Sequence, residues 1–313
     1  MISGKISIAI VGDRWPSPLA EAAFFYLDER DLNLSLPLCS RMDEETLDDL
    51  ARWFSDYVHT FKSGDPGEEE KIILKEEHTA RVRREIRDIG RALGLNDDDL
   101  RLAEAMALFH DLGRFPQYAV YGTFSDRRSR DHAALSVEVL IDHGVLDEID
   151  LLERELILRA ISYHNRAALP EDVSGRCLFF SELLRDADKL DIWAVLLDYY
   201  QRRETDGYRN GALELDLPDE PGISEEVRRD IAAGEIVKLS GVKRLNDFKL
   251  LQASWVFDLN YWPALLAVRK RGYLEEARKF LPRTEEVDMI FTLLKSSLDW
   301  RIEAEVAGAG DGA

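Results

Sequence analysis

A histidine and an aspartate stand side by side in the sequence LFHDLGR at positions 108–114, at the end of an apolar helical run that begins near Ala103. Burying an imidazole beside a carboxylate is costly unless another group compensates for their lost hydration. A divalent cation would serve both side chains at once. Although His110-Asp111 alone would more often be a surface pair at a helix end, its apolar surroundings indicate a metal site.

Further candidate ligands lie on separate predicted helices, and each has a setting that suits a metal ligand. They are His78 within a long helix, His132 at a helix start, His164 at a helix end and Asp188 beside a buried helix face. Singly, each histidine is more often a structural or surface residue, but as an ordered set they are hard to explain by chance. His59 and His143 have no such setting, and we interpret them as structural or surface residues.

Charge and composition narrow the function classes. The chain has 313 residues, 45% of them hydrophobic, and a formal net charge of -20. This charge argues against nucleic acid or an anionic membrane as a partner. The two cysteines, Cys39 and Cys177, form no metal-binding spacing, which suits a reducing cytoplasm. We therefore expect a cytoplasmic protein without a membrane span or signal peptide, and the sequence leaves homo-oligomerisation open.

The distribution of apolar residues predicts an all-α fold preceded by a different segment. Residues 1–40 contain two strand-like runs, at 5–11 and 32–38, and are predicted to form a short α/β or extended cap. Residues 41–305 are predicted to form one helical domain. The Gly/Ala-rich tail at 306–313 is predicted to be disordered.

Capping residues and helical periodicity predict the individual helices. Asp43 and Asn96 are predicted N-caps, and Ile73 is predicted to face the core. The predicted helices cover 43–61, 69–93, 97–110, 131–143, 148–164, 177–201, 224–233, 245–271, 274–280 and 285–305, with loops at 115–130 and 204–221.

The order of the candidate ligands resembles a known family. His78, then His110-Asp111, then Asp188 resemble the minimal signature of the HD-domain superfamily of metal-dependent phosphohydrolases, which is a histidine, a His-Asp pair and a distant aspartate. The resemblance covers about residues 70–200. It implies a helical HD-domain bundle that hydrolyses phosphate esters with bound metal.

Two details refine this resemblance. Arg114 stands where the common form of the motif has lysine, which keeps a cation but makes it a planar fork. His132 and His164 fall where some members have two more histidines and bind two metals. Asn165 stands where phosphodiesterase-type members often have a further histidine, which argues against a cyclic-dinucleotide substrate.

The resemblance implies a binuclear ligand set and a reaction. Asp111 would bridge two ions, one completed by His78, His110 and Asp188 and the other by His132 and His164. Imidazole and carboxylate ligands without thiolate suit Fe, Mn, Ni, Co or Zn. A metal-bound hydroxide would then attack the phosphorus atom of a small phosphate ester, and we expect a nucleotide.

Basic residues near the ligands are the candidates for binding the phosphate. Arg114 and Lys189 are predicted, with Asp111, to act at the reacting group. The predicted substrate-binding residues are Arg127, Arg128 and Arg130. The alternative interpretation is a solvated loop whose arginines balance neighbouring acids, and the sequence leaves both open.

Two other functions remain compatible with the sequence. The same four-histidine, two-aspartate set serves diiron oxygenases of this superfamily. A non-catalytic HD-type signalling module is also conceivable, but loss of ligands would mark that class, and this chain has lost none. Phosphate release against oxygen consumption separates hydrolase from oxygenase.

Overall fold

The computed structural model describes residues 42–209 and 214–310. Within these ranges every regular element is helical and no β-strand occurs, which confirms the predicted all-α class. The strand-like runs predicted in residues 1–40 lie outside the described residues, as do residues 311–313 of the predicted tail. No helix in the described ranges is long and apolar enough to cross a membrane.

The helices are numbered here in chain order. They are α1 (Glu44–His59), α2 (Pro66–Ala92), α3 (Asp97–Phe109), α4 (Arg114–Tyr121), α5 (His132–Asp142), α6 (Leu151–Tyr163), α7 (Gly175–Asp206), α8 (Glu225–Ala232), α9 (Leu245–Ala253), α10 (Trp262–Arg271), α11 (Tyr273–Lys279) and α12 (Glu285–Gly310). Short 3-10 helices cover Asp126–Arg128, Leu239–Gly241 and Ser254–Phe257.

Side-chain caps explain where the first helices begin. The Asp43 carboxylate accepts a hydrogen bond from the Thr46 N–H at 2.8 Å, and the Asn96 side chain accepts one from the Asp99 N–H at 2.9 Å. Each bond satisfies a backbone donor that has no partner inside the helix. Both predicted N-caps are therefore confirmed.

The N-terminal half of the chain differs from the prediction in two places. Helix α2 begins at Pro66, whose fixed φ suits a first helical turn, rather than at 69. The inward face of α2 includes Ile72, whereas Ile73 is 40% exposed, so the prediction for Ile73 is wrong. The predicted loop 115–130 contains α4 and a 3-10 turn, because Phe115 and Gln117 are buried and anchor this short helix.

The C-terminal half differs in α7, which extends to Asp206 inside the loop predicted at 204–221, and in two further places. The single helix predicted over 245–271 is broken into α9, a 3-10 turn and α10. The break lies at Asp258–Asn260, just before Pro263, which occupies the first turn of α10. The backbone of α12 continues to Gly310, past the end predicted near 305.

Two long helices organise the packing. Helix α2 packs along α7 and α3, while α6 packs on α7 and α5. The C-terminal helices α10 and α11 also pack on α7, and α10 reaches α2. Large side chains such as Phe109, Phe115 and Trp193 fill the shared core. The C-terminal helices therefore share α7 with the helices that carry the candidate site residues.

Candidate metal centre

The four predicted histidine ligands direct their Nε2 atoms into one buried space beside Asp111. The Nε2 atoms of His78 and His110 are 3.2 Å apart, and those of His132 and His164 are 3.0 Å apart. Asp111 lies between the two pairs, with Oδ2 3.5 Å from His78 Nε2 and Oδ1 3.3 Å from His132 Nε2. Each pair forms with Asp111 a group that could hold a metal ion. We call these five residues together with Asp188 the candidate metal centre.

The Asp188 carboxylate completes the first pair. Its Oδ1 atom lies 3.1 Å from His78 Nε2 and 3.6 Å from His110 Nε2. This oxygen is buried, and the geometry gives it no hydrogen-bond partner among the described residues. A buried carboxylate oxygen without a partner is costly, whereas a cation between it and the imidazoles would satisfy all three groups.

Hydrogen bonds at the opposite ring nitrogen orient all four imidazoles. His110 Nδ1 lies 2.7 Å from the Ala107 carbonyl, and His164 Nδ1 lies 2.7 Å from the Ile161 carbonyl. A carbonyl oxygen can only accept, so each Nδ1 carries the proton and each neutral ring keeps an Nε2 lone pair. This is the tautomer that a metal ligand requires.

The other two histidines are oriented by carboxylates. His78 Nδ1 lies 2.6 Å from Asp191 Oδ2, and the other oxygen of Asp191 accepts a hydrogen bond from Arg81 Nε at 2.6 Å. His132 Nδ1 lies 2.8 Å from Asp126 Oδ2. A carboxylate at this position raises the basicity of the ring and fixes its direction.

Gly113 explains how the end of α3 can approach α5. A Cβ atom at this position would lie 2.2 Å from the His132 carbonyl oxygen and 2.6 Å from the Ser136 nitrogen. The Gly113 N–H donates to Ser136 Oγ at 2.8 Å, and that hydroxyl is 2.9 Å from the His110 carbonyl oxygen. The glycine of the motif is therefore a packing requirement that brings the two histidine pairs together.

Two cations stabilise the ionised form of Asp111. Burial raises the pKa of its carboxyl, but the charges of Lys75 and Arg114 and the interaction with nearby imidazoles outweigh burial and hold the pKa well below its usual range. Lys75 Nζ lies 2.8 Å from Oδ2, and Arg114 Nε lies 3.3 Å from Oδ1. Arg114 also donates to Asp126 Oδ1 at 3.0 Å, so it connects Asp111 to the carboxylate that orients His132.

The two histidine pairs differ in their electrostatics. Burial lowers the pKa of His132, and burial with the neighbouring imidazoles lowers the pKa of His164 to about 3. These rings are neutral at pH 7, as metal binding requires. For His78, burial and Lys75 lower the pKa, but the neighbouring carboxylates of Asp188 and Asp191 outweigh them and raise it.

A cavity of about 270 Å³ opens onto the candidate metal centre and is rich in cations. Its charged lining includes Lys75, Arg166, Arg185 and Lys189, together with Asp258. Lys189 Nζ and Arg185 Nη2 each donate to Asp258 Oδ2 at 2.9 Å. Burial and Arg185 lower the pKa of Lys189. Positive charge is therefore concentrated next to the candidate metal centre, although the whole chain is acidic.

The three predicted substrate-binding arginines lie elsewhere. Arg127 and Arg128 line a neighbouring cavity of about 370 Å³, which also contacts Arg114. Arg128 Nη1 lies 3.1 Å from Asp216 Oδ2, and Arg130 pairs with Glu138 at 2.6 Å. The described lining of the cavity at the candidate metal centre includes none of the three.

Several contributors were not anticipated from the sequence. Lys75 precedes His78 by one helical turn and Asp191 follows Asp188 by one turn, so helical spacing alone could have indicated them. Asp126 and Asp258 have no such local signal, because their loops reach the candidate metal centre only through tertiary packing. Of the two remaining histidines, His59 ends α1 and the His143 ring packs edge-on against Trp53 and Tyr57.

Comparison with known proteins agrees with this geometry. A family model described as the HD domain matches residues 76–203, a range that contains every residue of the candidate metal centre. Residues 76–203 are an HD domain. The C-terminal helices from α8 onward lie outside the match, although Asp258 reaches the cavity of the HD domain.

One curated relative is similar to about half of the chain. The deoxyguanosinetriphosphate triphosphohydrolase-like protein of Azoarcus sp. (strain BH72) is 34% identical over 165 residues, which are 49% of this chain and 42% of that protein. The match thus spans less than half the length of this relative. No solved structure matches the chain.

Proposed function

We propose that this protein is a metal-dependent phosphohydrolase that acts on a small phosphate ester, namely a nucleotide. The observation that carries the proposal is the convergence of four imidazole Nε2 atoms, the buried Asp111 carboxylate and the buried Oδ1 atom of Asp188 on one space beside a cationic cavity. The HD domain and the triphosphohydrolase-like name of the relative support the same reaction class.

The residues present fit a pair of divalent transition-metal ions. Asp188 Oδ1 is buried and has no hydrogen-bond partner in the described chain, and two pairs of Nε2 atoms face each other at 3.0 and 3.2 Å. Imidazole and carboxylate donors without thiolate suit Fe, Mn, Ni, Co or Zn. The first ion would be held by His78, His110, Asp111 and Asp188, and the second by Asp111, His132 and His164.

The chain's own residues would divide the remaining tasks of phosphoryl hydrolysis. A bound divalent ion supplies Lewis acidity, which draws charge from phosphoryl oxygens and lowers the pKa of water. Asp111 stays ionised beside Lys75 and Arg114, so both of its oxygens remain acceptors. Lys189 directs positive charge into the cavity and would bind a phosphoryl oxygen, while Arg114 acts chiefly as a positioning residue for Asp111.

Metal content tests the binuclear part of the proposal. Purified protein should contain close to two ions per chain. His132→Ala and His164→Ala should each reduce this to about one, because the second ion loses one of three ligands. His143→Ala is a matched control and should retain the full content. Unchanged metal content in both ligand variants would contradict the assignment of the second site.

Activity tests the reaction class. Phosphate or polyphosphate release should be assayed on a panel of nucleotides and sugar phosphates with Mn, Fe, Ni, Co and Mg. Asp111→Ala should abolish turnover, whereas Lys189→Ala should weaken substrate binding more than metal binding. Oxygen uptake with iron, and no phosphate release with any metal, would overturn the hydrolase proposal.

A further inference from the structure

The cavity at the candidate metal centre has two chemically different ends along α7. Asp188 and Lys189 line the end next to the histidines, and Ile192 lines the cavity one turn further along the same helix. Because an α-helix rises 1.5 Å per residue, Ile192 lies about 6 Å along the axis from Asp188. A substrate whose phosphate lies at the candidate metal centre would therefore extend its organic group toward Ile192.

An apolar wall closes this second end. Ile192, Ile236 and Trp255 line the cavity, and Ile192 and Trp255 pack against the same cluster of buried side chains. We call these three residues the apolar wall. Ile236 and Trp255 lie outside the HD domain match, which ends at residue 203. The Trp255 ring meets the edge of the buried Trp193 ring at a centroid distance of 5.8 Å and an angle of 84°, so one aromatic residue supports the other.

Hydrogen bonds to α7 hold the turn that carries Trp255. The buried Asp186 carboxylate accepts hydrogen bonds at 2.9 Å from the backbone N–H groups of Asn260 and Tyr261. Asp258, in the same turn, accepts from Arg185 and Lys189 at 2.9 Å. The wall is therefore attached to the helix that carries Asp188, and a ligand would find it already formed.

We propose that this wall binds the base of a nucleoside phosphate and that Trp255 is the specificity-determining residue. This inference rests on the proposed function and names the part of the substrate that the region outside the HD domain recognises. A nucleotide carries a phosphate and a flat aromatic base that are joined by a pentose. Its phosphate suits the cationic end of the cavity, and its base suits the indole at the other end. A sugar phosphate without a base offers the indole nothing to stack on.

Binding measurements on the metal-loaded protein test this assignment. Calorimetry should compare the four common nucleoside 5′-monophosphates with ribose 5-phosphate, which has the same phosphoester and no base. Trp255→Ala should weaken nucleotide binding by about 5- to 150-fold, the value of one base stacked on an aromatic ring, and leave ribose 5-phosphate binding unchanged. Trp255→Phe should keep most of the affinity. Trp300→Ala, which removes a tryptophan that is 68% exposed on α12, should behave as wild type.

The outcomes separate this inference from the proposed function. Equal loss of both ligands in Trp255→Ala would make Trp255 structural, and no loss of either would show that the base binds elsewhere. If wild type binds nucleotides through Trp255 but hydrolyses none, the wall stands and the hydrolase proposal fails. If wild type and Trp255→Ala hydrolyse nucleotides equally well, the hydrolase proposal stands and the assignment of the base to the wall fails. Should Trp255→Ala fail to fold, Ile236→Asn tests another residue of the wall with the same expected direction.

Discussion

Two buried polar clusters in this protein are built in opposite ways. The first is the candidate metal centre. The second, which we call the tyrosine–lysine cluster, consists of Tyr199, Tyr200, Glu214, Lys249 and Gln252. Its donors meet acceptors: Tyr199 donates to Glu214 at 2.7 Å, Tyr200 to Gln252 at 3.0 Å, and Lys249 to the Phe280 carbonyl at 2.6 Å. In the candidate metal centre, like groups face one another instead.

This difference separates a structural cluster from a candidate functional one. Glu214 and Lys249 are each 7% exposed, about as buried as His78 at 5% and His164 at 6%, so burial alone does not distinguish the two clusters. What distinguishes them is whether the charged groups have partners. The amide nitrogen of Gln252 has no partner in the described chain, but it is neutral and single. Asp188 Oδ1 belongs to a charged group beside two imidazoles, and that arrangement favours cation binding.

Metal removal should have the largest effect on stability, and it should act through the candidate metal centre and not through the tyrosine–lysine cluster. An ion present at 1,000 times its dissociation constant stabilises the folded state by about 4 kcal/mol. Chelation should therefore lower the unfolding temperature of wild type strongly, but leave that of Asp111→Ala, which lacks the carboxylate shared by both proposed sites, nearly unchanged. Equal sensitivity of the two proteins to chelator would contradict a metal at this position.

Gly113→Ala should have the next largest effect on the free energy of unfolding. The added Cβ would overlap backbone atoms of α5, which cannot move as a flexible side chain can, and overpacking of this kind costs about 3 kcal/mol. Urea unfolding measures the loss, and metal content should fall with it. Gly67→Ala, where the nearest atom is a side-chain oxygen at 3.3 Å, is the control and should unfold like wild type.

Glu214→Gln should destabilise the protein without changing its metal content. Glu214 accepts from Tyr199 and is paired with Arg203, which also pairs with Asp219, so the substitution removes one of the two carboxylates that face this guanidinium. We expect a loss of about 1–3 kcal/mol in the free energy of unfolding. Metal analysis should give the wild-type content, and a loss of metal would show that the two clusters are not independent.

The pH dependence of Lys249 should change the stability by about as much as Glu214→Gln. Burial lowers the pKa of Lys249 to about 8 from its ordinary 10.5. Between these values the unfolded chain binds more protons, so this group makes unfolding less favourable as pH rises. From pH 7 to pH 10 the stability of wild type relative to Lys249→Met should increase by about 1–3 kcal/mol. Lys270→Met, at an exposed position, should show no such change, and a parallel change in both variants would contradict the burial argument.

Local signals made much of the fold predictable. Asp43 and Asn96 act over three residues, so their caps could be located from the sequence. The inward face of α2 was misplaced by one position at Ile72 and Ile73, because both are apolar and only packing on α7 and α3 decides between them. The break near Asp258 depends on Asp186, far away in the chain, and periodicity does not report it.

The candidate site shows the same division. The six predicted metal-site residues do come together. They could be predicted because residue type and order in the chain identify such a set without knowledge of its geometry. The phosphate-binding role of Arg127, Arg128 and Arg130 was predicted from their charge alone. Charge does not determine which cavity an arginine faces. That role therefore remains a prediction, while Lys75, Arg166 and Asp258 stand closer to the cavity at the candidate metal centre.

The attachment of Asn260 to Asp186 also has a consequence for synthesis on the ribosome. The two residues are 74 positions apart, so the last proposed metal ligand, Asp188, is translated well before the turn that carries the apolar wall. At 5–20 residues per second, the interval is roughly 4–15 s. During this time the nascent chain holds all the proposed ligands but not the apolar wall, so an ion has access to the ligands before the wall is in place.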